Sequence, residues 1–385
     1  MISTSIRRSA GWTFLLILIL ILILIIMSEA NPYISSLIPY KAGKPIEETA
    51  RELGMDPASI IKLASNENPI GPSPKAVQAM QDSLTRTHIY PDGGAHDLRS
   101  RLADFHGMQL GQIVTGAGSS EIITLLAMIY LNSETNAVAA DRSFMMYKVA
   151  AQCFNAGYVS VPNKPDWSHD LPAMLQAITP QTRIVFIANP TNPIGTMVGQ
   201  QEIDAFMDAV PDHVLVVFDE AYIDFADEQP NTIKYVEQGR RVAVLRTFSK
   251  AYGLAGLRVG YAITRPDIAD LLHRVRCAFN VSVPAQAAAR AAINDTEHLA
   301  RTVDTVRQGR RQFYDALDAH HIPYVPTQTN FILVNVGNGR ACFNKCLAKG
   351  IILRPMDEYG LPQHVRITIG TPEQNERCLN ALLEE

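Results

Sequence analysis

The chain has 385 residues, enough to bury a large core in two domains or in one lobed domain. Its 34 lysines and arginines are outnumbered by 38 acidic residues, and a net charge of -4 leaves no basic footprint for nucleic acid. The five cysteines (Cys153, Cys277, Cys342, Cys346 and Cys378) form no Cys-x-x-Cys pair or Cys/His set at metal-ligand spacing, which argues against a metal centre and fits a reducing compartment.

In chain order, residues 1–27 come first and differ in kind from the rest. Arg7 and Arg8 precede an apolar run from Gly11 to Met27, slightly short of the roughly 20 residues that cross a bilayer. Three readings stay open. The run is a membrane anchor; or it is a signal peptide, with small residues at Ser28-Glu29-Ala30; or translation starts at Met27 and the run is an upstream extension. Membrane contact is expected only if residues 1–27 are genuine, and otherwise the chain is expected to be cytoplasmic. Residues 28–65 are punctuated by proline and glycine and are expected to join a small domain whose main part is 281–385, leaving 66–280 as the large domain.

From Gln112 to Thr115 the pattern reads as a strand, and Gly116-Ala117-Gly118-Ser119-Ser120-Glu121 then opens a helix through Tyr130. Short apolar strands follow at Ala137–Ala140, Arg183–Ala188, Val214–Phe218, Val242–Arg246 and Val259–Ile263, with helical patterns such as Gln201–Val210 between them. Such alternation predicts an α/β fold with a mostly parallel, helix-covered sheet. Beyond Asp267 the pattern changes. A long helix over Glu297–Ala319, a strand over Phe331–Val336, strands near Ile351–Arg354 and Val365–Ile369, and a helix after Pro372 predict a smaller α+β domain. The adjacent His320 and His321 read as a helix end, since no acidic or cysteine partner lies nearby.

The chemistry concentrates in Arg246-Thr247-Phe248-Ser249-Lys250, after which a glycine-rich turn leads to Arg258. A lysine just past a buried strand is placed to have its amine partly neutral, as carbonyl chemistry requires. The Ser249 hydroxyl and Arg258 guanidinium flank it as a phosphate site would need. The bland alternative is a surface lysine in a loop. Asp219 ends a strand, where ligands meet open α/β sheets, although an acid there is often only a helix cap. The turn at Ser119 and Ser120 suits an anion at a helix N-terminus, with simple capping by either serine as the alternative.

Taken together, Asn66-Glu67-Asn68-Pro69, Tyr90-Pro91-Asp92, Asn189-Pro190-Thr191-Asn192-Pro193-Ile194-Gly195, Asp219-Glu220-Ala221-Tyr222, the lysine segment and Arg366-Ile367-Thr368-Ile369-Gly370-Thr371 resemble the fold-type I aminotransferases, which use pyridoxal 5'-phosphate. Within them, the likeness is to the histidinol-phosphate aminotransferase family. The order and spacing of these motifs are specific, and the likeness covers nearly all of the chain after Met27.

The resemblance implies that Lys250 holds the cofactor and acts as general base, and that Asp219 pairs with its ring nitrogen. Asn192 and Tyr222 are implied as donors to its ring oxygen, Ser119, Ser120, Ser249 and Arg258 as phosphate contacts, and Phe144 as the stacking ring. The family often has proline then threonine before this aromatic where this chain has Arg142-Ser143, so Phe144 as plain core stays open. Tyr90 resembles the tyrosine that reaches the neighbouring subunit's cofactor, which implies a homodimer.

For substrates the resemblance implies Arg366 as the bidentate anion contact, Arg354 and Tyr40 as further phosphate contacts, and Asn330 as a small-domain contact. The implied reaction takes L-histidinol phosphate and 2-oxoglutarate to imidazole acetol phosphate and L-glutamate, in histidine biosynthesis. Aromatic amino-acid transamination, decarboxylation of a phospho-amino acid on the same scaffold, and a non-enzymatic cofactor-binding regulatory module remain as alternatives.

Overall fold

The structure, a computed structural model, describes residues 31–35, 37 and 43–384. The apolar run within residues 1–27 and the implied phosphate contact Tyr40 lie outside the described residues. The chain divides into two compact units, residues 1–40 and 41–385. In the first, the described residues include one short helix, Pro32–Ser35.

The second unit begins its strands with β1 (Ile61–Lys62), followed by β2 (Ile113–Gly116), β3 (Asn136–Ala140) and β4 (Gly157–Val161). Next come β5 (Thr182–Ala188), β6 (Leu215–Asp219), β7 (Val242–Thr247) and β8 (Gly260–Thr264). The last are β9 (Tyr324–Val325), β10 (Phe331–Asn335), β11 (Ile351–Ile352), β12 (Arg354–Pro355) and β13 (His364–Thr368). β2 to β8 form one seven-stranded sheet in the order β2-β8-β7-β6-β5-β3-β4. Every pairing among β3 to β7 is parallel, whereas β8 runs antiparallel to both β2 and β7.

Why this sheet is buried on both faces is visible in its strands. Apart from β4, each carries an apolar run, so the period of two sends alternate residues into two different cores. Val138, Val185, Ile187, Val216 and Phe218 enter one, while Ala137, Ala139, Ile184, Phe186, Leu215 and Val217 enter the other. β4 was not expected from the sequence; it lies at the sheet edge, and its half-exposed residues break the apolar run. Two helices, Pro74–Ser83 and His96–His106, also went unpredicted. Their mean apolar content is low, and they are held by packing against the helix Val283–Ala292.

The smaller sheet, in the order β12-β13-β10-β9, is antiparallel throughout. Val365 and Ile367 of β13 point into a core with Ile332, Val334 and the helices Thr296–Ala319 and Pro372–Leu383. The alternation therefore turns Arg366 and Thr368 to the opposite face. β1 pairs in parallel with β11, which ties the chain around residue 61 to the C-terminal elements. Cys342 and Cys346 lie one turn apart on the helix Gly339–Ala348, and all five cysteines are free. Among the described residues no helix is long and apolar enough to cross a membrane.

Candidate active site

The carboxyl ends of the parallel strands gather at one edge of the large sheet. Asp219 is the last residue of β6; β7 ends at Thr247, two residues before Ser249. β5 ends at Ala188 and runs into the turn that carries Asn192, while β3 ends at Ala140, four residues before Phe144. Arg258 reaches the same edge by a different route. Because β8 is antiparallel, its first residue, Gly260, lies beside Thr247 at the carboxyl end of β7, and Arg258 just precedes it.

Asp219 is buried, and its Oδ2 accepts a hydrogen bond from the Tyr147 hydroxyl at 2.8 Å. Its Oδ1 is buried with no hydrogen-bond partner. Burial lifts the Asp219 carboxyl to about 6, with the Tyr147 bond, the Ala221 amide and the Lys250 charge pulling the other way. The Ala221 amide acts on the carboxylate without completing a bond of ordinary geometry. Tyr147 is itself fixed by stacking on Phe186, with ring centroids 4.5 Å apart.

Lys250 keeps part of its side chain open to solvent, but its amine sits among protein groups and donates to the Ser65 carbonyl at 3.1 Å. Burial first, and the Arg366 charge second, bring the amine down to about 7. A lysine in this state is neutral for a large fraction of the time near neutral pH, as a nucleophile or proton acceptor must be.

The third component is an anion cradle. Gly118 at φ +80° is the N-cap of the helix Ser119–Tyr130, so neither Ser119 nor Ser120 occupies the capping position. A Cβ on Gly118 would lie 2.5 Å from Arg258 Nη2, so only glycine lets the helix start and the guanidinium approach this closely. Arg258 Nη1 donates to the Ser249 hydroxyl at 3.1 Å, and the arginine stays exposed at the rim. Free amides, a helix N-terminus and a guanidinium converge there.

Arg366 joins the two sheets. It donates from Nη1 to Asn192 Oδ1 at 2.6 Å and from Nη2 to the Ala64 carbonyl at 3.0 Å. Arginine has no acceptor, so the Asn192 oxygen must face it and the Asn192 amide nitrogen must face away. The Asn192 turn closes on Gly195 (φ +102°), where a Cβ would meet Thr327 Oγ1 at 2.3 Å. The Tyr222 hydroxyl receives the Asn66 amide at 2.9 Å, and the Lys250 amine lies 5.5 Å from the Tyr222 ring centroid.

Among the sequence-predicted residues, Lys250, Asp219, Tyr222, Asn192, Ser249, Arg258, Ser119, Ser120 and Arg366 lie around this edge. Phe144 is half-buried and meets Tyr147 edge-on at 5.7 Å. Arg354 is the Cα partner of Arg366 across β12 and β13. Asn330 is fully buried and donates to the backbone oxygens of Asn66 and Glu67, so it holds the loop rather than the open space. Tyr90 is 78% exposed and stacks on Phe279, and among the described residues no bond joins it to the other site residues. Sequence reasoning missed Tyr147 and assigned no role to Asn66. The signal available for Asn66 was its motif, and for Tyr147 its place three residues after Phe144.

The fit to the cofactor implied by the resemblance rests on these observations. A buried carboxylate oxygen without a donor suits a protonated ring nitrogen, a lysine near neutrality suits an aldehyde, and the cradle suits a phosphate. Comparison with known proteins agrees. The family model described as "Aminotransferase class I and II" matches residues 58–382. The histidinol-phosphate aminotransferase of Akkermansia muciniphila is 55% identical over 359 residues, covering 93% of this chain and 99% of that protein. Histidinol-phosphate aminotransferase 2 of Pseudomonas fluorescens is 47% identical over 356 residues, covering 92% and 96%. Among solved structures, histidinol-phosphate aminotransferase from Sinorhizobium meliloti in complex with pyridoxal-5'-phosphate superposes with a TM-score of 0.84 at 28% identity, covering 92% of this chain and 97% of that one.

Proposed function

The chain belongs to the class I and II aminotransferase family, and from that premise we propose that it transfers the amino group of L-histidinol phosphate to 2-oxoglutarate, a step of histidine biosynthesis. Pyridoxal 5'-phosphate, when bound, supplies the electron-withdrawing ring that stabilises the charge left on the substrate's α-carbon. Lys250 would hold the cofactor's aldehyde, and its free amine would carry the substrate's α-proton on Nζ. Asp219 Oδ1 accepts from the ring nitrogen and keeps it protonated. The Ser119 and Ser120 amides, Ser249 and Arg258 would bind its phosphate, Asn192 and Tyr222 would donate to its ring oxygen, and Phe144 would supply the stacking ring. Residues 66–280 form the cofactor-binding domain in this reading, and 281–385 the small domain, which the segment ending at residue 65 joins.

Arg366 takes the carboxylate of glutamate or 2-oxoglutarate, and it shares the substrate phosphate with Arg354. Asn330 supports this set by holding the loop at Asn66. Tyr90 reaches the cofactor phosphate of a second copy, so the working form is a homodimer. Five free cysteines fit a cytoplasmic location.

The observation that carries the reading is the donorless Asp219 oxygen in the same enclosure as a lysine brought near pH 7. The substrate rests on the two arginines facing one another on β12 and β13 and on the likeness to histidinol-phosphate aminotransferases. The test is turnover by the cofactor-loaded protein with 2-oxoglutarate, comparing L-histidinol phosphate, phenylalanine and threonine phosphate. At least tenfold higher kcat/KM for histidinol phosphate is expected. Preference for phenylalanine, or release of carbon dioxide from threonine phosphate, would replace it.

A further inference from the structure

Arg354 and Arg366 are directly opposed in the antiparallel β12–β13 pair, so their side chains leave the sheet on the same face. They are 9% and 8% exposed. Like charges opposed in this way repel, and burial removes the water that would screen them. Arg366 spreads its charge onto Asn192 Oδ1 and the Ala64 carbonyl. Arg354 instead donates from Nη2 to a full carboxylate, Glu358 Oε2, at 2.8 Å.

Glu358 sits on the turn Asp357–Tyr359, four residues beyond Arg354, which lies on β12. Backbone bonds from Tyr359 and Leu361 to the Met356 carbonyl, and from Gly360 to Asp357, tie that turn down. The Glu358 side chain is 32% exposed against 11% for Arg354. Rotation of the side chain alone can therefore carry the carboxylate into water while Arg354 stays seated.

We infer that Glu358 is a resident anion on Arg354, which an incoming phosphate must displace and which thereby sets how strongly the site holds phosphate-bearing substrates. This rests on the reading of Arg354 and Arg366 as the substrate's anion contacts. The physical trade is direct. In the free protein the carboxylate offsets the opposed guanidinium charges. With a phosphate at the same guanidinium it becomes a like charge at short range, and it must leave or weaken the complex. Release of phosphorylated product is helped by its return.

The experiment measures inhibition by inorganic phosphate of the glutamate half-reaction in the cofactor-loaded protein at low ionic strength, followed by the change in cofactor absorbance. Glu358→Gln keeps an oxygen for the Arg354 bond but removes the charge, and the phosphate inhibition constant should fall about three- to tenfold. Glu358→Ala should lower it as well. Asp357→Asn removes a charge from the same turn, where Asp357 pairs with Arg340 instead, and should leave the constant in place. A constant unchanged or raised in Glu358→Gln means that the carboxylate only positions Arg354, and the inference falls. An equal fall in Asp357→Asn overturns it in favour of general surface charge. Because glutamate is the donor, failure of wild-type protein to use histidinol phosphate would sink the proposed substrate without deciding this point.

Discussion

Tyr147 donates its hydroxyl hydrogen to Asp219 Oδ2 at 2.8 Å, across 72 residues of sequence, and leaves the second carboxylate oxygen buried without a hydrogen-bond partner. The bond aims the carboxylate, and it favours the ionised form against burial. Tyr147→Phe keeps the stack on Phe186 and removes only the donor. Cofactor affinity is expected to drop about tenfold, the scale of one hydrogen bond to a charged group. Losing a contact that lowers the Asp219 pKa moves it further up, so the acid limb of the cofactor-binding profile shifts to higher pH. Absorbance titrations from pH 5 to 8 check both, and an unshifted limb contradicts the role.

Asp219 also has a consequence for the cofactor-free protein. Its folded pKa of about 6 lies above the ordinary carboxyl value of 3.8, so between those values the folded state keeps a proton that the unfolded chain has lost. Stability from this group therefore falls as pH rises from about 4 to 6, by at most about 3 kcal/mol. Asp219→Asn mimics the neutral carboxyl and should match wild type at pH 4 in thermal unfolding of the cofactor-free protein. At pH 7 it should melt a few degrees higher while turning over negligibly. A variant that melts lower at pH 7 refutes the buried-charge account.

Lys250→Ala removes the amine itself. Turnover should fall by about 10⁴-fold or more, with the fold intact and the cofactor bound without covalent attachment. Absorbance of the free aldehyde form, together with residual activity, reads both. Turnover near the wild-type rate would remove Lys250 from the mechanism.

Arg366→Lys replaces a planar fork by a point charge and gives up either the Asn192 or the Ala64 bond. KM for 2-oxoglutarate should rise about 30- to 100-fold, as expected when one bidentate charged contact is lost. The kcat should drop by a smaller factor as Asn192 loses its anchor. Steady-state kinetics separate the two, and an unchanged KM would place the carboxylate elsewhere.

Much of the large sheet was legible from local pattern. The strands near Val138, Val185, Val216 and Val244 appeared as apolar runs because burial on both faces leaves no polar position to interrupt them. β4 and the helix His96–His106 were not legible, since exposed residues blur their periodicity. The reversed direction of β8 was equally invisible, because a strand's own residues do not reveal which way its neighbours run.

By itself the sequence determined the chemistry carried in contiguous segments: Lys250 between Ser249 and a glycine-rich turn, Asp219 at a strand end, and the glycine that opens the helix at Ser119. Only the tertiary structure decided the partners. Tyr147 meets Asp219, Asn66 meets Tyr222 over 156 residues, and Arg366 meets Asn192 over 174. It also set Arg354 opposite Arg366, with Glu358 as its counter-charge. The physical reason is that turns and strand ends are specified by neighbouring residues, whereas contacts over such distances follow from strand order and register.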